Sequence, residues 1–159
     1  MSAVAISRLS QERKNWRKDH PAGFIAKPMK KADNSMDLMN WEAYIPGEEG
    51  TDWEGGVYKL TLAFPPDYPA HPPVCTFTPP LFHPNLYTSG KVCLSIVNEG
   101  GGWSSAITLP QVLQGIQAML DNPNNDDPAH GEAYRCLASD KAEYRRRIRA
   151  QAKRFVPKS

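Results

Sequence analysis

Pro80-Leu81-Phe82-His83-Pro84-Asn85-Leu86-Tyr87-Thr88-Ser89-Gly90-Lys91-Val92-Cys93-Leu94-Ser95-Ile96 divides this chain in two. The residues before it read as sheet behind one opening helix, and those after it read as helix. The stretch itself reads as neither, because proline, glycine and asparagine break any period. Yet Leu81, Phe82, Leu86, Val92, Leu94 and Ile96 are apolar enough to pack. A long connection that is irregular without being disordered is uncommon in a compact domain and usually functional. It carries one thiol, Cys93, eight residues after Asn85. Taken alone, a free cysteine is most often a small buried hydrophobe, and His83-Pro84-Asn85 is a serviceable turn.

Working back from this stretch, four strands are expected. Val74–Phe77 is short and follows the extended, proline-rich Pro65–Pro73. Val57–Phe64 alternates cleanly, with Tyr58, Leu60, Leu62 and Phe64 on one face. Leu38–Ile45 places Trp41, Ala43 and Ile45 together, and Gly23–Pro28 is the first strand. Short turns between them, with one longer glycine-rich turn over residues 46–56, predict an antiparallel meander. Residues 3–18 read as an amphipathic helix with Ile6, Leu9 and Trp16 on one side. Arg13/Arg17 and Lys14/Lys18 make like-charged pairs one turn apart, which cost helix stability and so suggest a recognition surface. Asp19-His20-Pro21 ends the helix.

Working forward, Thr108-Leu109-Pro110-Gln111 is a capping box opening a helix whose stripe is Val112, Leu113, Ile116, Met119 and Leu120. Asn122-Pro123 stops it. A short helix is expected around Glu132–Leu137. Asp140-Lys141-Ala142-Glu143 reads as a second box, opening a last helix that buries Tyr144, Ile148, Ala152 and Phe155. One helix, four strands, an irregular segment and three helices make an α+β fold.

A chain of 159 residues is expected to be one domain, residues 1–159, with a core large enough to need neither disulfides nor metal. Cys75, Cys93 and Cys136 are odd in number and unpaired in spacing, which points to a reducing, intracellular compartment and away from a structural zinc site. No apolar run spans a bilayer, so no membrane partner is expected. Net charge is +2 but unevenly spread: seven acids and no Lys or Arg lie between Asp33 and Glu54, while nine bases face two acids from Arg135 onward. A charge run is usually a solvated face, and without interleaved aromatics or a reading motif it does not argue for nucleic acid.

Phe82-His83-Pro84-Asn85-Leu86-Tyr87 together with Gly90-Lys91-Val92-Cys93-Leu94-Ser95-Ile96 resembles the active-site segment of the ubiquitin-conjugating enzyme family. There a His-Pro-Asn triplet precedes the thioester-forming cysteine by a similar distance. The element order is also that family's, so the likeness extends over essentially the whole chain. Ser7-Arg8-Leu9, Gln11-Glu12-Arg13-Lys14, Trp16-Arg17-Lys18-Asp19-His20-Pro21, Trp53-Glu54-Gly55-Gly56 and Arg149-Ala150-Gln151-Ala152-Lys153 look like the family's SUMO-conjugating branch. The resemblance implies an enzyme of nucleus and cytoplasm, without a cofactor of its own. It would receive SUMO from an ATP-using activating enzyme, work with SUMO ligases, and pass SUMO to substrate lysines.

Residue by residue, the resemblance implies Cys93 as nucleophile and leaving group and Asn85 as an amide donor to the oxyanion, or as a brace of the loop. Tyr87, Tyr134 and Asp127 line the slot for the substrate lysine. Ser89 and Lys91 lie where the substrate is read, and Arg13, Lys14, Arg17, Lys18 and His20 form a docking face for SUMO and the activating enzyme. A cysteine hydrolase would need His83, His71 or His130 set against the thiol, and its local signature is missing. A ubiquitin-specific relative, a non-catalytic module and a nucleic-acid binder are the competing readings. The chain departs from its family at Val74 and Thr76, where better-known members carry lysines, and at Lys91, where they carry a small hydroxyl residue.

Overall fold

The computed structural model describes residues 2–98, 100–126 and 128–158. Helix α1 (Ala3–Lys18) is capped by the Ser2 hydroxyl, which accepts from the Val4 and Ala5 amides. Four strands come next, β1 (Ile25–Lys30), β2 (Met36–Pro46), β3 (Val57–Ala63) and β4 (Val74–Phe77), in one antiparallel sheet of order β1-β2-β3-β4. The meander is therefore as expected. The first strand begins later than its sequence suggested, because Gly23 has a φ of +85° and belongs to the turn in which the Phe24 amide donates to the Pro21 carbonyl. It also runs past Pro28, where a register shift lets Pro28 face Trp41 and Met29 face Asp37.

Trp41, Ala43 and Ile45 of β2 and Tyr58, Leu60 and Leu62 of β3 are buried on one face of the sheet. Helix α2 (Leu109–Asp121) buries Leu109, Val112, Leu113, Ile116, Met119 and Leu120 in the same core. Both halves of its capping box form: the Thr108 hydroxyl accepts from the Gln111 amide, and the Gln111 side chain accepts from the Thr108 amide. Helices α3 (Gly131–Ser139) and α4 (Lys141–Arg154) complete the α+β order. Asp140 caps α4 by accepting from the Glu143 amide, but the Glu143 carboxylate turns to Arg146 at 2.6 and 2.8 Å, so the second box is only half made.

The charges of α4 do not form a bare basic face. Arg145 and Arg149 both reach Asp52 in the loop between β2 and β3, and the Arg145 hydrogen bond holds the Asp52 carboxyl below the usual range. Arg147 pairs with Glu132 and lies 3.8 Å from the centre of the Phe82 ring. Across the molecule, Glu12 is the buried acid of α1. It accepts from the Tyr68 hydroxyl at 2.5 Å and from the Leu109 amide at 2.7 Å, and Arg8 lies 3.4 Å away. Arg8 also donates to the Ser105 and Ile107 carbonyls, so α1 is fastened to the chain entering α2. Among the described residues no helix is long and apolar enough to cross a membrane.

Candidate active site

The irregular stretch is less irregular in space than in sequence. Its middle folds back along β4: the Phe77 amide donates to the Gly90 carbonyl and the Val92 amide to the Cys75 carbonyl, so Lys91 lies opposite Thr76. The reversal is made by Gly90, whose φ is +95° and whose missing Cβ would collide with the Phe77 carbonyl oxygen. The Tyr87 carbonyl accepts from Gly90, and the Tyr87 amide donates to Lys91. Leu86 then bridges Val92, and the Cys93 amide donates to the Asn85 carbonyl at 2.9 Å. Eight residues apart in sequence, Asn85 and Cys93 become neighbours because a glycine turn closes between them.

Cys93 is half-buried, and with Asn85, Leu94, Ser95, Gly115, Ala118, Met119, Asn122 and Asn124 it lines a cavity of about 220 Å³. A short 3₁₀ turn, Ser95–Val97, comes directly after it. The other thiols differ. Cys75 is buried in β4, and burial pushes its thiol up to about 12. Cys136 sits on α3 near the Asp140 carbonyl.

Asn85 is fully buried. Its Nδ2 donates to the Asn124 carbonyl and its Oδ1 accepts from the Asn124 amide, both at 2.7 Å, so the bracing role has a specific partner. His83 holds the same loop from beneath. Nε2 donates to the Met119 and Leu120 carbonyls, and Nδ1 accepts from the Asn85 amide. Burial lowers its pKa to about 4, so it stays neutral with both nitrogens engaged and is no general base. His130 caps α3 and His71 bonds Asp67, so both histidines are otherwise engaged. The Pro84 carbonyl accepts from the Ala129 and His130 amides, which sets the start of α3, and hence half-buried Tyr134, beside the Asn85 segment. Tyr87 is 44% exposed at the surface of the same turn. Asp127 lies outside the described residues.

Ser89 and Lys91 are exposed, the Ser89 hydroxyl accepting from the Lys91 amide. Lys91 lines a cleft of about 340 Å³ with Pro72, Pro73, Val74 and Asn98. Elsewhere, Arg13 and Arg17 line a hollow of about 480 Å³. Lys27 and Lys30 of β1 join them there, beside Pro28 and Met36, whereas Lys14 and Lys18 do not line it. His20 stacks on Trp16 at 4.9 Å, and its Nδ1 donates to the Trp16 carbonyl. The sequence identified the α1 cations but not Lys27 and Lys30, since only strand pairing brings them alongside. It also passed over Asn98, whose Nδ2 lies 3.8 Å from the Cys93 sulfur, and Asn124.

A half-buried thiol beside a clamped carboxamide, with no histidine poised to activate water, suits acyl transfer through sulfur better than hydrolysis. The family model for ubiquitin-conjugating enzymes matches residues 8–152. The chain is 51% identical over 156 residues to the SUMO-conjugating enzyme UBC9 of Caenorhabditis elegans, covering 98% of this chain and 94% of the relative. It is also 51% identical over 154 residues to the SUMO-conjugating enzyme SCE1 of Arabidopsis thaliana, covering 97% and 96%. By sequence and by the element order of its fold, the chain belongs to the ubiquitin-conjugating enzyme family.

Proposed function

We propose that the protein is a SUMO-conjugating transferase, in which residues 1–159 act as one catalytic domain in the nucleus and cytoplasm. The observation that carries this reading is end-to-end likeness to two SUMO-conjugating enzymes, in a chain whose half-exposed thiol lies on the cavity of the asparagine preceding it. The Cys93 sulfur attacks the thioester presented by the activating enzyme, whose thiolate departs. A substrate lysine amine then attacks the new thioester carbonyl; the C–N bond forms, the C–S bond breaks, the electron pair leaves on sulfur, and the nitrogen's extra proton passes to solvent water. No cofactor takes part on this chain, because ATP is used by the activating enzyme.

Asn85 donates to the oxyanion of the second step while its Asn124 partners hold its plane. Tyr87 and Tyr134 pack the lysine stem and Asp127 orients the amine. An amine with an ordinary pKa near 10.4 is neutral in only about one molecule in 2500 at pH 7. Desolvation in this slot must therefore lower it by more than Asp127 raises it. The Arg13, Lys14, Arg17, Lys18 and His20 face, extended by Lys27 and Lys30, docks SUMO and the activating enzyme. Ser89 and Lys91 meet the substrate beyond its lysine, and SUMO ligases supply further selection.

One gel tests the reading: purified protein with activating enzyme, ATP and SUMO, run with and without thiol reagent. A band lost on reduction in wild type and resistant in Cys93→Ser is expected. Charging with ubiquitin in place of SUMO would reassign the modifier, and no adduct with either would favour a non-catalytic role.

A further inference from the structure

We propose that Asn98 is a catalytic residue of this chain: its side-chain amide donates to the Cys93 sulfur and favours the thiolate, both as that sulfur attacks and as it leaves. The Nδ2–Sγ separation is 3.8 Å, within hydrogen-bond reach of an atom as large as sulfur. A carboxamide nitrogen is a donor only, so the contact favours negative charge on its partner.

The residue is held where this contact can recur in every turnover. The Asn98 amide donates to the Ser95 carbonyl, and the Asn98 carbonyl accepts from the Gly101 amide. The Gly102 amide returns to the Ser95 carbonyl at 2.7 Å. A Cβ at Gly101 would lie 2.7 Å from that same oxygen, so only glycine lets the loop double back this closely. Beneath, Gly115 of α2 makes room for the 3₁₀ turn, since a Cβ there would stand 2.8 Å from the Ile96 Cδ1. Asn98 thus touches the thiol and also lines the cleft that Lys91 and Val74 share.

The chemistry needs such a donor twice. On loading, the Cys93 proton passes to solvent water before the sulfur attacks, and the departing thiolate of the activating enzyme takes one up. On discharge, the C–S electron pair returns to sulfur while the amine's proton passes to solvent. Asn85 acts on the carbonyl oxygen and leaves the sulfur without help. The proposal rests on Cys93 being the transfer nucleophile, and its test is chosen to run without SUMO.

Site-resolved alkylation of Cys93 by iodoacetamide at neutral pH is compared among wild type, Asn98→Ala and Asn98→Asp, all checked for unchanged unfolding midpoints. Loss of the donor removes a single hydrogen bond from the attacking sulfur, so Asn98→Ala should slow alkylation by only about two- to fivefold. Asn98→Asp keeps the shape and sets a carboxylate against the sulfur, so it should be slower again. Discharge of a SUMO thioester to lysine should follow the same order. A purely structural role predicts the reverse, with the isosteric Asp variant nearer wild type. Asp equal to or faster than Ala, or all three alike, overturns the proposal. Should Asn98→Ala fold poorly, Asn98→Ser takes its place, its hydroxyl being too short to reach the sulfur. The expected alkylation order in a protein that takes no SUMO would leave the sulfur contact standing and sink the transferase reading instead.

Discussion

Asn85 and Asn124 hold each other by a closed pair of hydrogen bonds, amide to carbonyl in both directions, each 2.7 Å long. The chain leaving α2 is thereby fastened to the residue before the active turn. A side chain used this way is committed in orientation before any substrate arrives, and a fixed donor is what an oxyanion needs.

Asn85→Ala removes the clamp and, on the proposed function, the oxyanion donor. Discharge of the Cys93 thioester to lysine is expected to fall by about 10²–10³, with loading much less affected. Because the Asn124 amide and carbonyl lose a buried partner, stability should fall as well, by about 1–3 kcal/mol in chemical denaturation. Asp127→Ala should slow discharge while sparing loading; equal slowing of both steps would remove Asp127 from lysine placement.

The Cys75→Ser and Cys136→Ser variants are expected to charge normally, since one thiol is buried in β4 and the other lies on α3. Loss of charging by either while still folded, judged by circular dichroism, would contradict Cys93 as the sole transfer thiol.

His83 gives the fold a pH dependence. Unfolded, its imidazole takes a proton near 6.5; folded, burial lowers that value to about 4. Between these values the unfolded chain binds a proton that the folded chain refuses. The stability His83 contributes is therefore fully present above 6.5 and lost as pH falls toward about 4, by about 3 kcal/mol at the limit. Urea midpoints for wild type and His83→Gln across this window should diverge. The variant is less stable at neutral pH and flatter toward acid.

Reversing Arg13 and Arg17 to Glu should weaken binding to SUMO and to the activating enzyme, and leave the residual binding less salt-sensitive, since fewer ion pairs remain. Lys30→Glu should act in the same direction, because Lys30 lines the same hollow. Unchanged affinity for both partners would make this a solvated face.

Lys91 stands opposite Thr76 and shares a cleft with Val74, so its cation occupies the surroundings of the two positions where the chain lacks lysine. The resemblance to the SUMO-conjugating branch implies a substrate motif with an acid two residues after the modified lysine. We expect Lys91 to take over the electrostatic part of reading it. A partly exposed pair contributes about 0.2–1 kcal/mol, giving a modest preference that salt erodes. Peptides with that acid changed to alanine are compared on wild type and Lys91→Ala. An equal fractional loss in both enzymes would end this assignment.

The sheet and helices were legible because alternation in β3, the stripe of α2 and the Thr108 box are local signals. The pairing of Asn85 with Cys93 was legible only through resemblance; physically it depends on a turn at Gly90 that no periodicity announces. Nothing local in the sequence marks Glu12 as a buried acid. Its burial depends on Tyr68 and Leu109, which lie 56 and 97 residues away. Asn124, Lys27 and Asn98 were hidden for the same reason, since each acquires its role only when distant segments meet.

The Asp52 junction bears on how partners find the molecule. Along the sequence, the acidic middle and the basic end look like two poles; in space, Asp52 draws Arg145 and Arg149 onto itself, and Glu132 takes Arg147. Folding therefore cancels the field of these particular charges within distances shorter than the screening length. The cations gathered from α1 and β1 line one hollow and add their fields there, although Lys27 also reaches Glu42. Diffusing acidic partners are steered toward that hollow, and salt should slow their arrival before it shortens their stay.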